Sequence, residues 1–338
     1  MPLSLLPRRL ALTLLCAASL MPAAQAGMLT DQQWRSWLDS GRYAELERAA
    51  GAKLAQQDAE PQATLAMALV ALDMAEPARL DSAAALAQRC VERQPQAAGC
   101  HYALGSIAAT QALQGGMLKA ARLAPRIRDS LARAVDLEPD FYEARSTLQQ
   151  FYMMAPAMIG GSMDKARSLA TSLPPQQAEH AKVLRAQLAM QEKRWPDAER
   201  DLAGCKPGDD KSLQSDLRDA WSRVAVHYRE SKRFDEASTI YERLARDYPG
   251  QALGPYGLGR VALDRGALDE SIKQLERARS LDGSDRLPVD HRLGQAWLAK
   301  GDKAKAREAL ERFVAQARTG RTSPRNLEDA RKLLAEMG

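Results

Sequence analysis

A regular spacing in the last third of the chain is the feature that most constrains its fold. The Leu-Gly dipeptides at residues 258–259 and 293–294 lie 35 residues apart. Small residues recur at the same interval, since Ala237, Ser271 and Ala306 are separated by 34 and 35 residues. A period of about 20 to 50 residues indicates a stack of repeated units in which each unit packs against its neighbours.

The composition indicates that these units are helical. The chain of 338 residues is 45% hydrophobic but only 5% aromatic, and it is rich in Ala, Leu, Arg, Glu and Gln. These residues lose little side-chain freedom in a helix, whereas strands favour β-branched and aromatic residues. We therefore predict an all-α fold.

The clearest single unit spans residues 219–250. With Arg218 counted as position one, Trp221 is at position 4, Tyr228 at 11, Ala237 at 20 and Pro249 at 32. This pattern of large and small residues resembles the tetratricopeptide (TPR) repeat, a helix–turn–helix unit with a period of about 34 residues. The resemblance is specific over residues 218–318 and looser over the rest of the chain after residue 26.

The resemblance implies a right-handed α-solenoid of about eight antiparallel helix pairs. A polar helix at residues 326–337 is the expected cap, because a solenoid must cover its terminal apolar face. We divide the chain into irregular repeats at 27–211 and regular repeats plus the cap at 212–338. The irregular part carries about ten inserted residues around 115–125 and a break at 155–161.

The first 26 residues are typical of a cleaved signal peptide. Arg8 and Arg9 precede an apolar run at 10–20, and Ala24-Gln25-Ala26 supplies the small–x–small cleavage pattern. No later stretch approaches the about 20 apolar residues of a bilayer span. We expect cleavage after Ala26, a periplasmic or secreted location, and no integral membrane segment in the mature chain.

The charge gives no indication of a nucleic-acid partner. The formal net charge of +5 falls to +3 once Arg8 and Arg9 are removed. No basic block with interleaved aromatic residues follows, so nucleic-acid binding is not predicted.

Three cysteines lie after residue 26. Cys90 falls late in one second helix and Cys100 early in the next first helix, so a disulfide between them is expected in an oxidising compartment. The alternative is two buried thiols at small-residue positions. Cys205 is left as the odd cysteine.

No constellation of catalytic residues is present. The four histidines, at positions 101, 180, 227 and 291, are far apart, and none has a second His or a Glu four residues later. There is no GxSxG, phosphate-loop or CxxC motif. The sequence therefore predicts a protein that is not an enzyme, with no cofactor and no metal site.

The resemblance implies that partners bind on the concave surface, which first-helix side chains line. In the three clear repeats these positions form a predicted groove rich in arginine, suited to an acidic peptide or a terminal carboxylate. The groove residues are Arg223, Arg229, Tyr256, Arg260, His291, Arg292 and Gln295. The Lys–Asn pair of carboxylate-clamp TPR proteins is absent. The alternative is that the arginines are solvated and pair with acids such as Glu230 and Asp264.

A second candidate site is the loop that interrupts the fourth repeat. Its residues are Pro156, Met158, Gly160, Gly161 and Ser162. Ser162 is an expected N-cap, so the loop precedes a helix N-terminus that favours anions, and nearby methionines suit an apolar cavity. A tight connection between packed helices explains the same residues equally well.

Two functions follow from these observations. The first is a non-enzymatic periplasmic scaffold that binds a protein or peptide during envelope assembly, secretion or quality control. The second is a periplasmic binding protein that holds a lipid or other apolar small ligand between the irregular N-terminal repeats.

Overall fold

The computed structural model describes residues 29–317 and 322–337, and within them the chain forms α-helices and no β-strand. The predicted signal peptide and its cleavage site lie outside these residues. None of the described helices combines the length and the hydropathy of a bilayer span. The helices are α1 (Gln32–Asp39), α2 (Tyr43–Gln56), α3 (Pro61–Met74), α4 (Pro77–Arg93), α5 (Ala98–Leu137), α6 (Tyr142–Met154), α7 (Met163–Thr171), α8 (Ala178–Gln191), α9 (Trp195–Ala203), α10 (Lys211–Glu230), α11 (Phe234–Asp247), α12 (Leu253–Asp264), α13 (Leu268–Arg279), α14 (Val289–Ala299), α15 (Lys303–Ala315) and α16 (Pro324–Glu336).

Short polar side chains fix where several helices begin. The Asp210 carboxylate accepts the backbone N–H of Leu213 at 2.9 Å, and Ser162 accepts that of Lys165 at 3.3 Å. Each bond satisfies an N–H that has no partner within its own helix. The predicted N-cap at Ser162 is therefore present.

Consecutive helices pack as antiparallel pairs, and α5 supplies both members of one pair. Its backbone leaves the helical region at Gly116, where φ is 74° and ψ is −177°, so two helices meet there. Within the described residues this gives eight pairs, followed by α16 packed on α15. The predicted α-solenoid with a C-terminal cap is confirmed.

Glycine allows the two helices of a repeat to approach closely. A Cβ on Gly259 of α12 would lie 2.6 Å from Cγ of Leu275 in α13, and one on Gly294 would lie 2.5 Å from Cγ of Leu310. Such distances are too short for a real carbon pair. The 35-residue spacing of the two glycines therefore reflects the same glycine–leucine contact in two successive repeats.

The inserted residues lengthen both helices around Gly116. Residues 98–115 and 117–137 form two helices that each exceed the 12-residue α12 and α13 of a regular repeat. We name this element the α5 hairpin, residues 98–137. Its tip lies at 113–118, where Leu113, Met117 and Leu118 are exposed.

The hydrophobic core continues along the stack without a break at residue 211. Leu202 and Cys205, before this position, share one buried cluster with Leu213 and Leu217, after it. The division at 211/212 therefore separates irregular from regular repeats and does not coincide with a gap in the core. A second cluster, which includes Leu275 and Leu293, fills the last two pairs.

Cys90 and Cys100 form a disulfide that joins α4 to the start of the α5 hairpin, with their Cα atoms 5.6 Å apart. Both residues are buried beside Ala59. Cys205 is a free, buried thiol. The bridge ties two consecutive repeats together in the irregular part of the chain.

Candidate functional site

The helix pairs border an open cavity of about 860 Å³, to which both ends of the stack contribute. One wall comes from α1 to α3 and from Tyr102, and the opposite wall comes from α10, the turn after α11 and Arg286. The lining residues are Leu38, Asp39, Tyr43, Leu69, Leu72, Asp73, Tyr102, Lys211, Gln214, Ser215, Arg218, Asp247, Tyr248, Pro249, Gly250, Gln251 and Arg286. We call this space the central cavity.

An ion pair connects the two walls. Nη2 of Arg286 lies 2.5 Å from Oδ1 of Asp73, although 213 residues separate them in the sequence. The phenol of Tyr43 also donates a hydrogen bond to Asp73. The loop that connects the seventh repeat to the eighth therefore contacts the first repeats across the cavity.

The cavity presents both cationic and aromatic groups. The guanidinium of Arg218 lies 4.9 Å from the ring centre of Tyr248, which is within the range of a cation–π interaction. Lys211 and Gln214 stand on the same helix, one or two turns earlier. This wall therefore offers donors and an aromatic face to a bound chain.

A group of carboxylates adjoins the cavity beside Tyr102. Burial raises the pKa of Asp216, and the nearby charge of Asp219 raises it further, whereas a hydrogen bond of 2.5 Å from Tyr142 lowers it. Burial likewise raises the pKa of Glu143. Asp219 is exposed to solvent, but the surrounding protein atoms partly desolvate its carboxylate and raise its pKa as well. The concave surface is thus mixed in charge.

Two arginines of the predicted groove lie near carboxylates on α10 and α12. Arg223 is exposed, and its charge lowers the pKa of both Asp216 and Asp219. Arg229 is mostly covered, and its Nη1 lies 2.5 Å from Oδ2 of Asp264. Arg223 is therefore accessible to a partner, whereas the guanidinium of Arg229 is already engaged.

The other predicted groove residues come together at the C-terminal end. Nη1 of Arg260 donates to the phenol oxygen of Tyr256 at 3.1 Å. Burial lowers the pKa of Arg292, and the like charge of Arg260 lowers it further. Two guanidinium groups and a phenol therefore share one half-buried surface, which we name the C-terminal arginine cluster (Tyr256, Arg260 and Arg292).

The capping helix α16 supplies polar partners to this end of the groove. The imidazole Nε2 of His291 lies 2.7 Å from Oδ2 of Asp329, and Nε2 of Gln295 donates to the same oxygen at 2.9 Å. Nη2 of Arg292 donates to Oδ1 of Asn326 at 3.3 Å. Burial lowers the pKa of His291 despite the carboxylate beside it. Three of the seven predicted groove residues are thus engaged by α16.

The interrupted fourth repeat borders a separate apolar pocket of about 220 Å³. Pro156 lines it, together with Phe151, Met154 and Ile159, but Met158 is 91% exposed and points away. A Cβ on Gly161 would lie 1.7 Å from the carbonyl oxygen of Ala155, so the glycine permits the tight connection. Gly160, Gly161 and Ser162 do not line the pocket. The α5 hairpin makes the opposite wall, and Thr147 and Gln150 of α6 complete the lining.

The histidines have structural neighbours. Nε2 of His101 lies 3.0 Å from the carbonyl oxygen of Pro95, and that of His180 lies 3.0 Å from Oδ2 of Asp210. His227 stacks on Trp195, with ring centres 3.8 Å apart. In the part of the chain that the structure describes, no group of three or more His, Cys, Asp or Glu side chains is arranged to hold a metal ion.

Sequence reasoning did not identify the residues that close the cavity or line its acidic side. Asp73 and Arg286 lie in different repeats, and only the curvature of the whole stack brings them together. Asp216 precedes position one of its repeat, because α10 begins at Lys211. The sequence did contain a signal for this extension of α10, because a continuous helical pattern follows directly after the polar stretch 206–211.

Comparison with known proteins supports the repeat assignment. Residues 290–318, which cover α14 from its second residue and all of α15, match the family model of the tetratricopeptide repeat. No curated protein matches the chain. Among solved structures, a tetratricopeptide repeat protein from Parabacteroides merdae ATCC 43184 is 15% identical, with a TM-score of 0.48 over 81% of this chain and 98% of that chain.

A second solved structure is the Cut9–Hcn1 hetero-tetramer of the APC/C. It is 14% identical and has a TM-score of 0.45 over 87% of this chain and 52% of that chain. The matched repeat lies within a stack of eight helix pairs in the described residues, and in three of them Gly105, Gly259 or Gly294 makes the same close contact with a leucine. Residues 290–318 therefore form a tetratricopeptide repeat within an α-solenoid.

Proposed function

We propose that this protein is a non-enzymatic scaffold that binds an extended segment of a partner polypeptide inside the central cavity. The observation that carries the proposal is the cavity itself, about 860 Å³ in volume and lined from both ends of the stack. Its size falls within the about 300–1,000 Å³ typical of ligand sites. An extended chain would satisfy its backbone groups with the side chains of Gln214, Ser215 and Gln251.

The charges on the concave surface indicate what such a segment carries. Arg223 is exposed and the C-terminal arginine cluster is half-buried, so both are positioned to pair with acidic side chains or a terminal carboxylate. The carboxylates of Asp216 and Asp219 also adjoin the cavity. A segment with both acidic and basic residues therefore fits better than a purely acidic one.

The N-terminal pattern supports a role outside the cytoplasm. Arg8 and Arg9, the apolar run at 10–20 and the cleavage pattern ending at Ala26 would direct the chain to export. We propose that the partner is met in the periplasm, during envelope assembly, secretion or quality control. The disulfide between Cys90 and Cys100 is consistent with an oxidising compartment.

Site-specific crosslinking in the producing cells tests the site. Benzoylphenylalanine placed at Ser215, in the cavity wall, is expected to give covalent adducts with a defined partner chain. The same group at Arg277, exposed on the second helix α13, is the control and is expected to give few adducts. Equal yields from the two positions would contradict binding in the cavity.

Charge reversal tests the contribution of the arginines. Arg223→Glu together with Arg260→Glu should reduce adduct formation from Ser215 at least tenfold, because two charge-assisted bonds are each worth about 1.5–3 kcal/mol. The matched control is Arg277→Glu with Arg331→Glu, which makes the same charge change on exposed residues elsewhere. Arg292 is left unchanged because it holds α16.

A small apolar ligand in the pocket beside Pro156 is the second candidate. The pocket is lined almost entirely by carbon, from Ala109, Ile127, Phe151 and neighbouring side chains. Its volume of about 220 Å³ is below that of sites that enclose a drug-sized molecule, so it suits a small apolar group better than a whole lipid. Native mass spectrometry of the exported protein would reveal a retained ligand mass.

A further inference from the structure

The α5 hairpin carries three large apolar side chains at its tip that the fold does not cover. Leu113 is 75% exposed, Met117 is 86% exposed and Leu118 is 90% exposed. They follow one another around the Gly116 turn, at the end of two helices that are longer than those of a regular repeat. Isolated exposed apolar residues are common, but a cluster of them at the end of a projection indicates a site that binds a protein or a membrane.

Basic residues stand directly behind this tip. The chain contains no Asp or Glu between Glu92 and Asp129, whereas Lys119, Arg122 and Arg126 lie in this interval. No ion pair to these three side chains is formed within residues 29–317 and 322–337. The tip therefore combines exposed apolar groups with uncompensated positive charge.

The spacing of these groups along the helix matches the layers of a bilayer surface. Leu118, Arg122 and Arg126 recur every four residues, and all three are exposed, so they share the outward face. A rise of about 1.5 Å per residue places Arg122 about 6 Å behind Leu118, and Arg126 about 12 Å behind it. The polar headgroup layer of each leaflet is about 5–8 Å thick. A tip that reaches the acyl boundary would therefore hold Arg122 at the level of the phosphates.

The chemistry of the tip favours a lipid surface over a protein partner. The centres of protein interfaces are enriched in aromatic residues and depleted of Lys, whereas this tip has Lys119 and no aromatic side chain. Met117 and Leu118 project outward and line neither described cavity, whereas Leu113 also borders the pocket beside Pro156. Apolar residues flanked by Lys and Arg are the pattern of segments that bind anionic membranes.

We propose that the tip of the α5 hairpin docks this protein on the surface of an anionic phospholipid bilayer, with Leu113, Met117 and Leu118 at the acyl boundary, Arg122 among the headgroups and Arg126 just outside them. The proposed contact is peripheral, because it involves only side chains at the tip of the hairpin. It leaves the central cavity available, since none of these five residues lines it.

Vesicle flotation of the exported protein tests this proposal. Vesicles of phosphatidylcholine alone are compared with vesicles of phosphatidylcholine and phosphatidylglycerol in equal amounts. Binding is expected to the anionic vesicles and to weaken as salt is added, because screening shortens the range of the attraction. Absence of binding to the anionic vesicles would overturn the proposal.

Two variants separate the apolar from the electrostatic contribution. Arg122→Gln with Arg126→Gln should lower the partition coefficient about 25-fold, since each basic residue near an anionic surface contributes about fivefold. Met117→Ser with Leu118→Ser should lower it at least tenfold through the loss of apolar burial. All four positions are exposed, so circular dichroism is expected to be unchanged.

Lys273→Gln with Arg277→Gln, exposed on α13, is the matched control and should bind like the parent. Undiminished binding by the two tip variants would contradict docking through the tip. Crosslinking of Leu118 to a protein, with no binding to anionic vesicles, would instead identify the tip as a protein interface and refute the lipid proposal.

Discussion

The carboxylate of Asp216 shows how a single residue on the concave surface is controlled by its surroundings. Burial and the neighbouring Asp219 favour its protonated form, while Tyr142 and the charge of Arg223 favour the carboxylate. The net result is a raised pKa. Because the folded state then binds a proton that the unfolded state has lost, this residue destabilises the fold as the pH rises above the ordinary carboxyl range.

Asp216→Asn should remove this pH dependence. The asparagine side chain still offers an oxygen to Tyr142 but does not ionise. We expect the urea midpoint of the variant, relative to the parent, to increase between pH about 4 and pH about 7. Asp197→Asn is the control: Arg194 and Arg200 lower the pKa of that carboxyl, so its effect on the midpoint has the opposite sign and falls mainly below pH about 4. A constant difference between parent and Asp216→Asn would contradict the raised pKa.

At the scale of the element, the helix pair is defined by how closely its two helices approach. The repeat pattern predicted this contact, because a small residue in the first helix and a large one in the second recur with the same period. Gly259 and Leu275 show the contact directly. The number of helix pairs, the position of the insertion near residue 115 and the capping helix were also predictable, since each depends on local sequence.

Gly259→Ala is expected to lower the free energy of unfolding by about 1–3 kcal/mol, because the added methyl overpacks the contact with Leu275. Gly51→Ala is the matched control within α2. A Cβ at Gly51 meets nothing within 4 Å, so there the change should raise the free energy by about 0.5–1 kcal/mol through helix propensity. Chemical denaturation of both variants measures the difference. Stabilisation by Gly259→Ala would refute the close contact.

The contacts between elements that are distant in sequence were less predictable. Repeat positions identified Tyr256, Arg260 and Arg292 as neighbours, and the structure brings them together. The same positions gave no indication that Asp329 of α16 bonds to His291, because a cap packs according to the shape of the last repeat. The conformation of the α5 hairpin was also not predictable, since an insertion of ten residues is equally compatible with a loop.

At the scale of the whole molecule, the ion pair between Asp73 and Arg286 closes the stack around the central cavity. No local pattern predicts it, because curvature is the sum of small rotations at every repeat boundary. The Arg286 side chain is 59% exposed, so the pair contributes at most about 1 kcal/mol to the stability of the fold. Its effect is expected on shape more than on stability.

Arg286→Glu should broaden the distance distribution between the two walls while leaving the melting temperature nearly unchanged. The distance is measured by electron–electron resonance between spin labels placed at Ser36 of α1 and Arg246 of α11, which are exposed beside the two walls. Exchange of the two charges, Asp73→Arg with Arg286→Asp, should narrow the distribution again. A distribution that is the same in Arg286→Glu and the parent would show that the pair does not hold the walls together.

The closure has a consequence for how this chain can change over evolutionary time. An open solenoid gains or loses a repeat with little penalty, because only nearest neighbours are affected. Here the residues that meet lie 213 positions apart. Adding or removing one repeat between them would shift and rotate Arg286 relative to Asp73 by one full repeat, and the ion pair could not form. Repeat number between α3 and α14 is therefore under a constraint that a stack with separate ends does not experience, and length variation should be confined to insertions that project outward, such as the α5 hairpin.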